Sequence, residues 1–163
     1  VDQQEGVMLR GALFSPCRTY RYSLTRKWLI GDGKQVMVML NPSVADKWGD
    51  DMTTILMMRR AVYAGFQRYE AVNLFALIGT DPTALLNHAD PVGPENDAAI
   101  VEAMSDSDRI IIAWGNHGRL HKRADAVMKL LDGRELYCFG RTKSGAPRFP
   151  RALRSDAGLE RFN

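Results

Sequence analysis

The sequence predicts an α/β fold: a three-layer αβα arrangement with a four-stranded parallel central sheet, preceded by a short N-terminal strand or hairpin. Three observations predict it. Four short apolar runs, at 36–40, 70–75, 109–113 and 135–139, recur along the chain. Stretches with helical periodicity separate them, and alternating strands and helices imply a parallel sheet covered on both faces. At 163 residues and 18.3 kDa the chain has the length of one ordinary domain, so 1–163 is read as a single α/β domain.

The elements follow in order. Residues 17–29 alternate roughly, with Tyr20, Tyr22 and Leu24 at period two, and Gly31-Asp32-Gly33 is a turn signal. An antiparallel or edge element is expected there. The first core strand, Val36-Met37-Val38-Met39-Leu40, leaves through Asn41-Pro42-Ser43. Pro42 cannot continue a sheet ladder and holds Asn41 extended. A helix is expected over 53–64, with Ile55, Leu56, Met57 or Met58, and Val62 as its apolar positions and Gly65 as its stop. The second strand contains Ala71-Val72-Asn73-Leu74-Phe75. Thr80-Asp81-Pro82 starts a short helix over 83–87. After the loop Asp90-Pro91-Val92-Gly93-Pro94, the run Glu95-Asn96-Asp97 opens a helix reaching Met104. The third strand exits through Trp114-Gly115-Asn116-His117-Gly118, and a helix is expected over 119–131. The fourth strand exits into a Gly/Pro/basic loop over 140–150, and the last thirteen residues are weakly patterned.

Composition narrows the function classes. The chain is 45% hydrophobic and 25% charged, which is globular. No apolar run approaches the roughly 20 residues needed to span a bilayer, and the first six residues lack the basic and apolar regions of a signal peptide. With two cysteines, Cys17 and Cys138, and no CxxC spacing, a disulfide scaffold and a zinc site lose support, and a reducing cytoplasm is expected. Cys138, inside an apolar run, reads as a small core residue. The net charge of +3 does not announce nucleic acid. Its distribution says more: Arg18, Arg21, Arg26 and Lys27 cluster early, Arg119, Lys122 and Arg123 cluster late, and Arg141, Lys143, Arg148, Arg151, Arg154 and Arg161 fill the C-terminal quarter, interleaved with Tyr20, Tyr22, Trp28 and Phe149. Such segments suit a phosphate backbone, although charges alone read as a solvated surface.

Parallel strands place their C-terminal ends on one edge, where open α/β sheets bind ligands. That edge collects Asn41, Pro42, Ser43, Asn73, Phe75, Trp114, Asn116 and His117. The amide of Asn73 offers donors and an acceptor to a base edge, or it satisfies a nearby loop. Asn41 closes a turn or positions a water. Asp46, Asp50 and Asp51 precede the first helix, where they cap it, act as a base or hold magnesium. The pair His117-x₃-His121 has metal spacing, but Gly118 interrupts it and no HExxH glutamate lies between, so no metal is assigned. The absence of Gx₄GK[ST], GxGxxG and GxSxG motifs removes the usual nucleotide, dinucleotide and serine-hydrolase signatures, and no cofactor is expected.

Together Tyr20-Arg21-Tyr22-Ser23-Leu24-Thr25-Arg26-Lys27-Trp28, Met39-Leu40-Asn41-Pro42-Ser43, Asp50-Asp51, Val72-Asn73-Leu74-Phe75-Ala76, Thr80-Asp81-Pro82, Asp90 to Asp97, Ala113-Trp114-Gly115 and Gly145-Ala146-Pro147-Arg148 resemble the bacterial and phage domain-of-unknown-function family DUF1643 over nearly the whole chain. A more distant resemblance is to the uracil-DNA glycosylase superfamily. It implies a four-stranded parallel sheet between helices with the active site at the strand C-termini. Leu40-Asn41-Pro42-Ser43 is similar to the motif whose Asn or Asp positions the attacking water. Asn73 falls at the Asn that reads a flipped pyrimidine. Gly145 to Pro150 falls at the loop that supports the leaving base, with Phe149 where that loop carries a His.

The resemblance implies a nucleobase- or nucleic-acid-binding domain, with N-glycosylase chemistry on a flipped base. In that reading Asn41, Asp46 and Asp51 act on the water. Pro42, Ser43, Asn73, Phe75, Trp114, Asn116 and His117 form the base pocket. Arg119, Arg141, Lys143, Pro147, Arg148 and Phe149 meet nucleic acid, and no membrane partner is implied. Two alternatives stay open: a non-catalytic nucleotide or modified-base binder, which Phe149 in place of His favours, and a magnesium-dependent phosphohydrolase using Asp46, Asp50 and Asp51.

Overall fold

The computed structural model describes residues 8–43, 49–150 and 157–163. Seven strands form one sheet: β1 (Leu9–Phe14), β2 (Arg21–Lys27), β3 (Asp32–Met39), β4 (Phe66–Asn73), β5 (Arg109–Ile112), β6 (Leu136–Cys138) and β7 (Glu160–Arg161), in the spatial order β1-β2-β4-β3-β5-β6-β7. The sheet is therefore mixed and seven-stranded, which corrects the expectation of a four-stranded one. In its middle β4, β3, β5 and β6 pair parallel. The β1–β2 hairpin joins β4 antiparallel, and β7 closes the far edge antiparallel on β6. The β1–β2 hairpin is the N-terminal element that the sequence predicts, with β2 inside the alternating stretch 17–29; β7, with two residues, shows no buried apolar run.

Among the described residues four α-helices flank the sheet: α1 (Met52–Tyr63), α2 (Ala84–Asn87), α3 (Asn96–Met104) and α4 (Arg123–Leu130). Alternation along β3 separates two cores. Val36 and Val38 join Ile110, Ile112 and Val72 with Ile100 and Met104 of α3 and Val127 of α4. Met37 and Met39 join Ala71 and Ile111 with Met57 and Ala61 of α1. Successive strand residues point to opposite faces, so one strand feeds both cores. Its near-continuous apolar sequence reflects burial on both sides. Cys138 is fully buried in the α3/α4 core. Among the described residues no helix is long and apolar enough to cross a membrane.

The helix expected over 119–131 begins later. Asn116–Lys122 form a 3₁₀ segment broken at Leu120 and His121, and both His121 and Lys122 have positive φ. A ring nitrogen of His121 lies 2.8 Å from the Leu85 carbonyl oxygen, and its ring packs edge-on against Phe75. Tertiary contacts therefore hold the backbone out of α-helix until Arg123.

A buried ion pair fixes the entry to α1. The side chain of Arg26 is fully buried. Its Nε and Nη2 donate to Asp50 Oδ1 at 2.9 and 2.7 Å, and its Nη1 donates to the carbonyls of Thr25 and Gly11 at 2.7 and 3.2 Å. Arg10 of β1 donates to the other Asp50 oxygen at 2.6 Å. Charge removed from water needs this degree of hydrogen bonding, and removing one partner strands the other. Asp50→Ala is expected to destabilise the fold by about 3–5 kcal/mol in urea denaturation. The double variant Arg26→Met with Asp50→Leu is expected to recover most of that loss, since no unpaired charge stays buried.

Candidate functional site

The end of β4 is the most firmly held strand exit. Asn96, the first residue of α3, is fully buried and donates from Nδ2 to the carbonyls of Asn73 and Leu74, both at 3.0 Å. Arg123, the first residue of α4, donates from Nε to the same Leu74 carbonyl at 2.6 Å, and its Nη2 pairs with Asp97. These donors satisfy carbonyls that the parallel ladder leaves at its end, and they bind the starts of two helices to one strand exit.

Asn73 is 1% exposed, and its Nδ2 has no hydrogen-bond partner among the described residues. It pairs in register with Met39, whose side chain lies in the α1-side core, so the Asn73 side chain points to that side as well. Tyr69 lies four residues earlier on the same face, and its fully buried hydroxyl is also without a partner. Burial raises the Tyr69 pKa above its ordinary value, with the Asp51 charge as the next cause, and Arg21 and Arg26 oppose the rise. Arg21 reaches this side through an irregularity in the hairpin: Leu13 is opposite Ser23 and Phe14 opposite Arg21, which leaves Tyr22 as the extra residue. Two buried donors, a carboxylate and a guanidinium thus gather on the α1 side of β4.

Asp51 is the N-cap of α1. Its Oδ1 accepts from the Thr54 amide at 2.8 Å, and its Oδ2 accepts a short hydrogen bond from the Ser43 hydroxyl. Burial pushes the Asp51 pKa up, but hydrogen bonds from Ser43 and Thr54, with the Arg21 charge, outweigh it and leave the pKa below 3.8. The carboxylates assigned to magnesium are therefore occupied, Asp50 by two arginines and Asp51 by its cap and Ser43. Asp46 lies outside the described residues, as do Arg151 and Arg154.

The other expected site residues divide. Asn41 donates from Nδ2 to the Gly79 carbonyl at 2.8 Å while the Gly79 amide donates to the Pro42 carbonyl at 3.0 Å, so Asn41 and the buried Pro42 close the turn. Phe75 is wholly inside the α3/α4 core. Trp114 belongs to that core too, with its indole directly over Gly118, where a Cβ would stand 2.2 Å from the ring. Trp114, Asn116, Arg119 and Pro147 line a second cavity of about 380 Å³. There Asn116 Oδ1 accepts from Thr142 and Ser144, each at 2.7 Å. His117, Arg119, Lys143, Arg148 and Phe149 are exposed. Arg141 lies 4.0 Å from the Phe162 ring centroid and accepts from Arg148 Nε through its carbonyl at 2.9 Å. Asn73 and Trp114 thus share the C-terminal edge but face opposite layers.

Tyr69 and Asn96 carry no site signal in the sequence, and Arg21 and Arg123 read there only as members of basic clusters. Arg21 and Tyr69 sit on half-apolar strands where period two marks them as candidates for burial. Asn96 reads as a helix opener and Arg123 as a surface cation, and only the crossing of β4 with both helix starts shows what they hold.

The profile of the family described as "Protein of unknown function (DUF1643)" matches residues 21–151. No curated protein matches the chain, and no solved structure does.

The lowered Asp51 pKa gives a pH dependence. The carboxylate favours the folded state above its unfolded pKa near 3.8, and this contribution disappears as pH falls through the lower folded pKa. Asp51→Asn keeps a capping side chain but loses the charge. Denaturation from about pH 5 to about pH 2 is expected to show a flatter acid limb for this variant, while Asp51→Ala costs about 1 kcal/mol at neutral pH through the lost cap.

Proposed function

The chain belongs to the DUF1643 family, and we propose that its domain binds a nucleobase or nucleotide at the C-terminal edge of β4, on the α1 side, and reads the base with Asn73. The observation that carries the proposal is the Asn73 Nδ2 group, buried and without a partner on a backbone that Asn96 and Arg123 hold fixed. An unsatisfied buried donor costs roughly 1–3 kcal/mol, which a ligand acceptor would remove. A carbonyl or ring nitrogen on a base edge is such an acceptor, and Tyr69 adds a second donor on the same face. The parallel pairing of β4, β3, β5 and β6, with helices on both faces, supports relating the fold to uracil-DNA glycosylases.

Binding without chemistry is favoured over N-glycosylase activity. The Asn41 amide, which would hold the water, is bonded to Gly79, and Asp51 is bonded to Ser43 and Thr54. The loop expected to support an anionic leaving base presents Phe149 and no imidazole.

Calorimetric titration with free uracil, cytosine, adenine and guanine and their nucleosides tests the proposal. One base is expected to bind, and Asn73→Ala is expected to weaken it about 10–100-fold with the fold retained. Equal affinity in Asn73→Ala, or no binding of any base by the wild type, would overturn the reading. Base release from a deaminated duplex would instead establish the glycosylase.

A further inference from the structure

A cavity of about 740 Å³ lies on the α3 side of the sheet, between the β1–β2 hairpin and α3, away from the α1-side site. Its volume is within the range of small-molecule sites, about 300–1,000 Å³. Phe14, Tyr20 and Tyr22 form its aromatic wall, and Glu70, Glu95 and Glu102 contribute carboxylates. None of the lining residues is cationic.

The two tyrosines are fixed in place. Their rings stack with centroids 6.2 Å apart and planes 18° from parallel. The Tyr20 hydroxyl donates to the Asp90 carbonyl at 2.8 Å. Gly93, at φ 87°, packs so closely that a Cβ there would stand 3.0 Å from the Tyr20 ring and 3.2 Å from the Tyr22 ring. The approach requires glycine on both counts, conformation and space.

The carboxylates differ in availability. Both oxygens of Glu70 are engaged, one by the Ser23 hydroxyl at 2.6 Å and the other by Lys34 Nζ at 3.0 Å. Glu95 and Glu102 have no ion pair among the described residues and are exposed at the cavity. Arg18, in the hairpin, stacks on Phe14 at 4.1 Å from the ring centroid.

We propose that this cavity binds a small organic ammonium ion, held by the Tyr20 and Tyr22 rings and by the charges of Glu95 and Glu102. Aromatic faces attract cations through the ring quadrupole, and unpaired carboxylates add a Coulombic attraction that a neutral molecule does not feel. The same carboxylates repel phosphate, so the site is distinct in ligand as well as in place from the proposed base site.

Choline and its neutral isostere 3,3-dimethyl-1-butanol separate charge from shape. In NMR titrations of the full chain, choline is expected to shift the Tyr20 and Tyr22 ring resonances saturably, and the isostere to bind about tenfold more weakly. Glu95→Gln with Glu102→Gln, both exposed and with no side-chain bond among the described residues, is expected to bring choline affinity down toward that of the isostere. Equal binding of the two ligands by the wild type, unchanged choline binding in the double variant, or no saturable shift with choline would each overturn the proposal.

Discussion

The carbonyl oxygens at the end of β4 have to be satisfied where the parallel ladder runs out, and side chains from two helix starts do it. Asn96 donates to the Asn73 and Leu74 carbonyls, and Arg123 donates to Leu74 a second time. Both side chains are buried, so each also has its own polar groups to satisfy, and Arg123 does so through Asp97 of α3. A shift of α3 or α4 against the sheet would leave a buried donor or carbonyl without a partner. That cost, of order 1–3 kcal/mol for each group, sets where the helices stand on the sheet.

On the opposite face the Arg26–Asp50 pair does the corresponding work for α1. It ties β1, β2 and the residues preceding α1 into one bonded unit. The two clasps lie on either side of the central strands. Between them Asn73 has a fixed backbone and a side-chain amide whose donor group has no partner among the described residues. Gln35 Nε2 and Asn96 Oδ1 are buried without a partner as well, so it is the place of Asn73 at a strand exit of an α/β sheet that supports the proposed ligand site. Tyr69 is buried on the same face, and its hydroxyl has no partner among the described residues.

The sequence showed the parallel part of the sheet because burial on both faces leaves continuous apolar runs, as in Val36 to Met39. The expected N-terminal hairpin is β1 and β2, although the exposed Leu9 and Leu13 left β1 without bounds in the sequence, and β7, whose two residues carry no pattern, was not shown. The start of α4 was displaced by His121, whose bond to Leu85 overrides a local helical preference that extends back to Arg119. At the site, Asn73 was legible as a polar residue ending an apolar strand. Asn41 had the same signature and turned out to close a turn with Gly79, which shows that position along a strand does not reveal a hydrogen-bond partner 38 residues away. Trp114 and Asn73 looked like neighbours because strand ends share an edge. The pleat sends them into different layers, and that alternation depends on a register that apolar runs leave unspecified.

In the proposed reading the Asn73 side-chain amide is a recognition group held ready by its scaffold. The most direct measurement is the ¹⁵N–¹H NMR of that amide in the free protein and with the nucleobase series. The Nδ2 group is expected to have the shift of an unbonded donor in the free protein and to move downfield when the cognate base is added, with a scalar coupling across the new hydrogen bond where the acceptor is a ring nitrogen. An Asn73 amide already hydrogen-bonded in the free protein, and unmoved by every base, would contradict it.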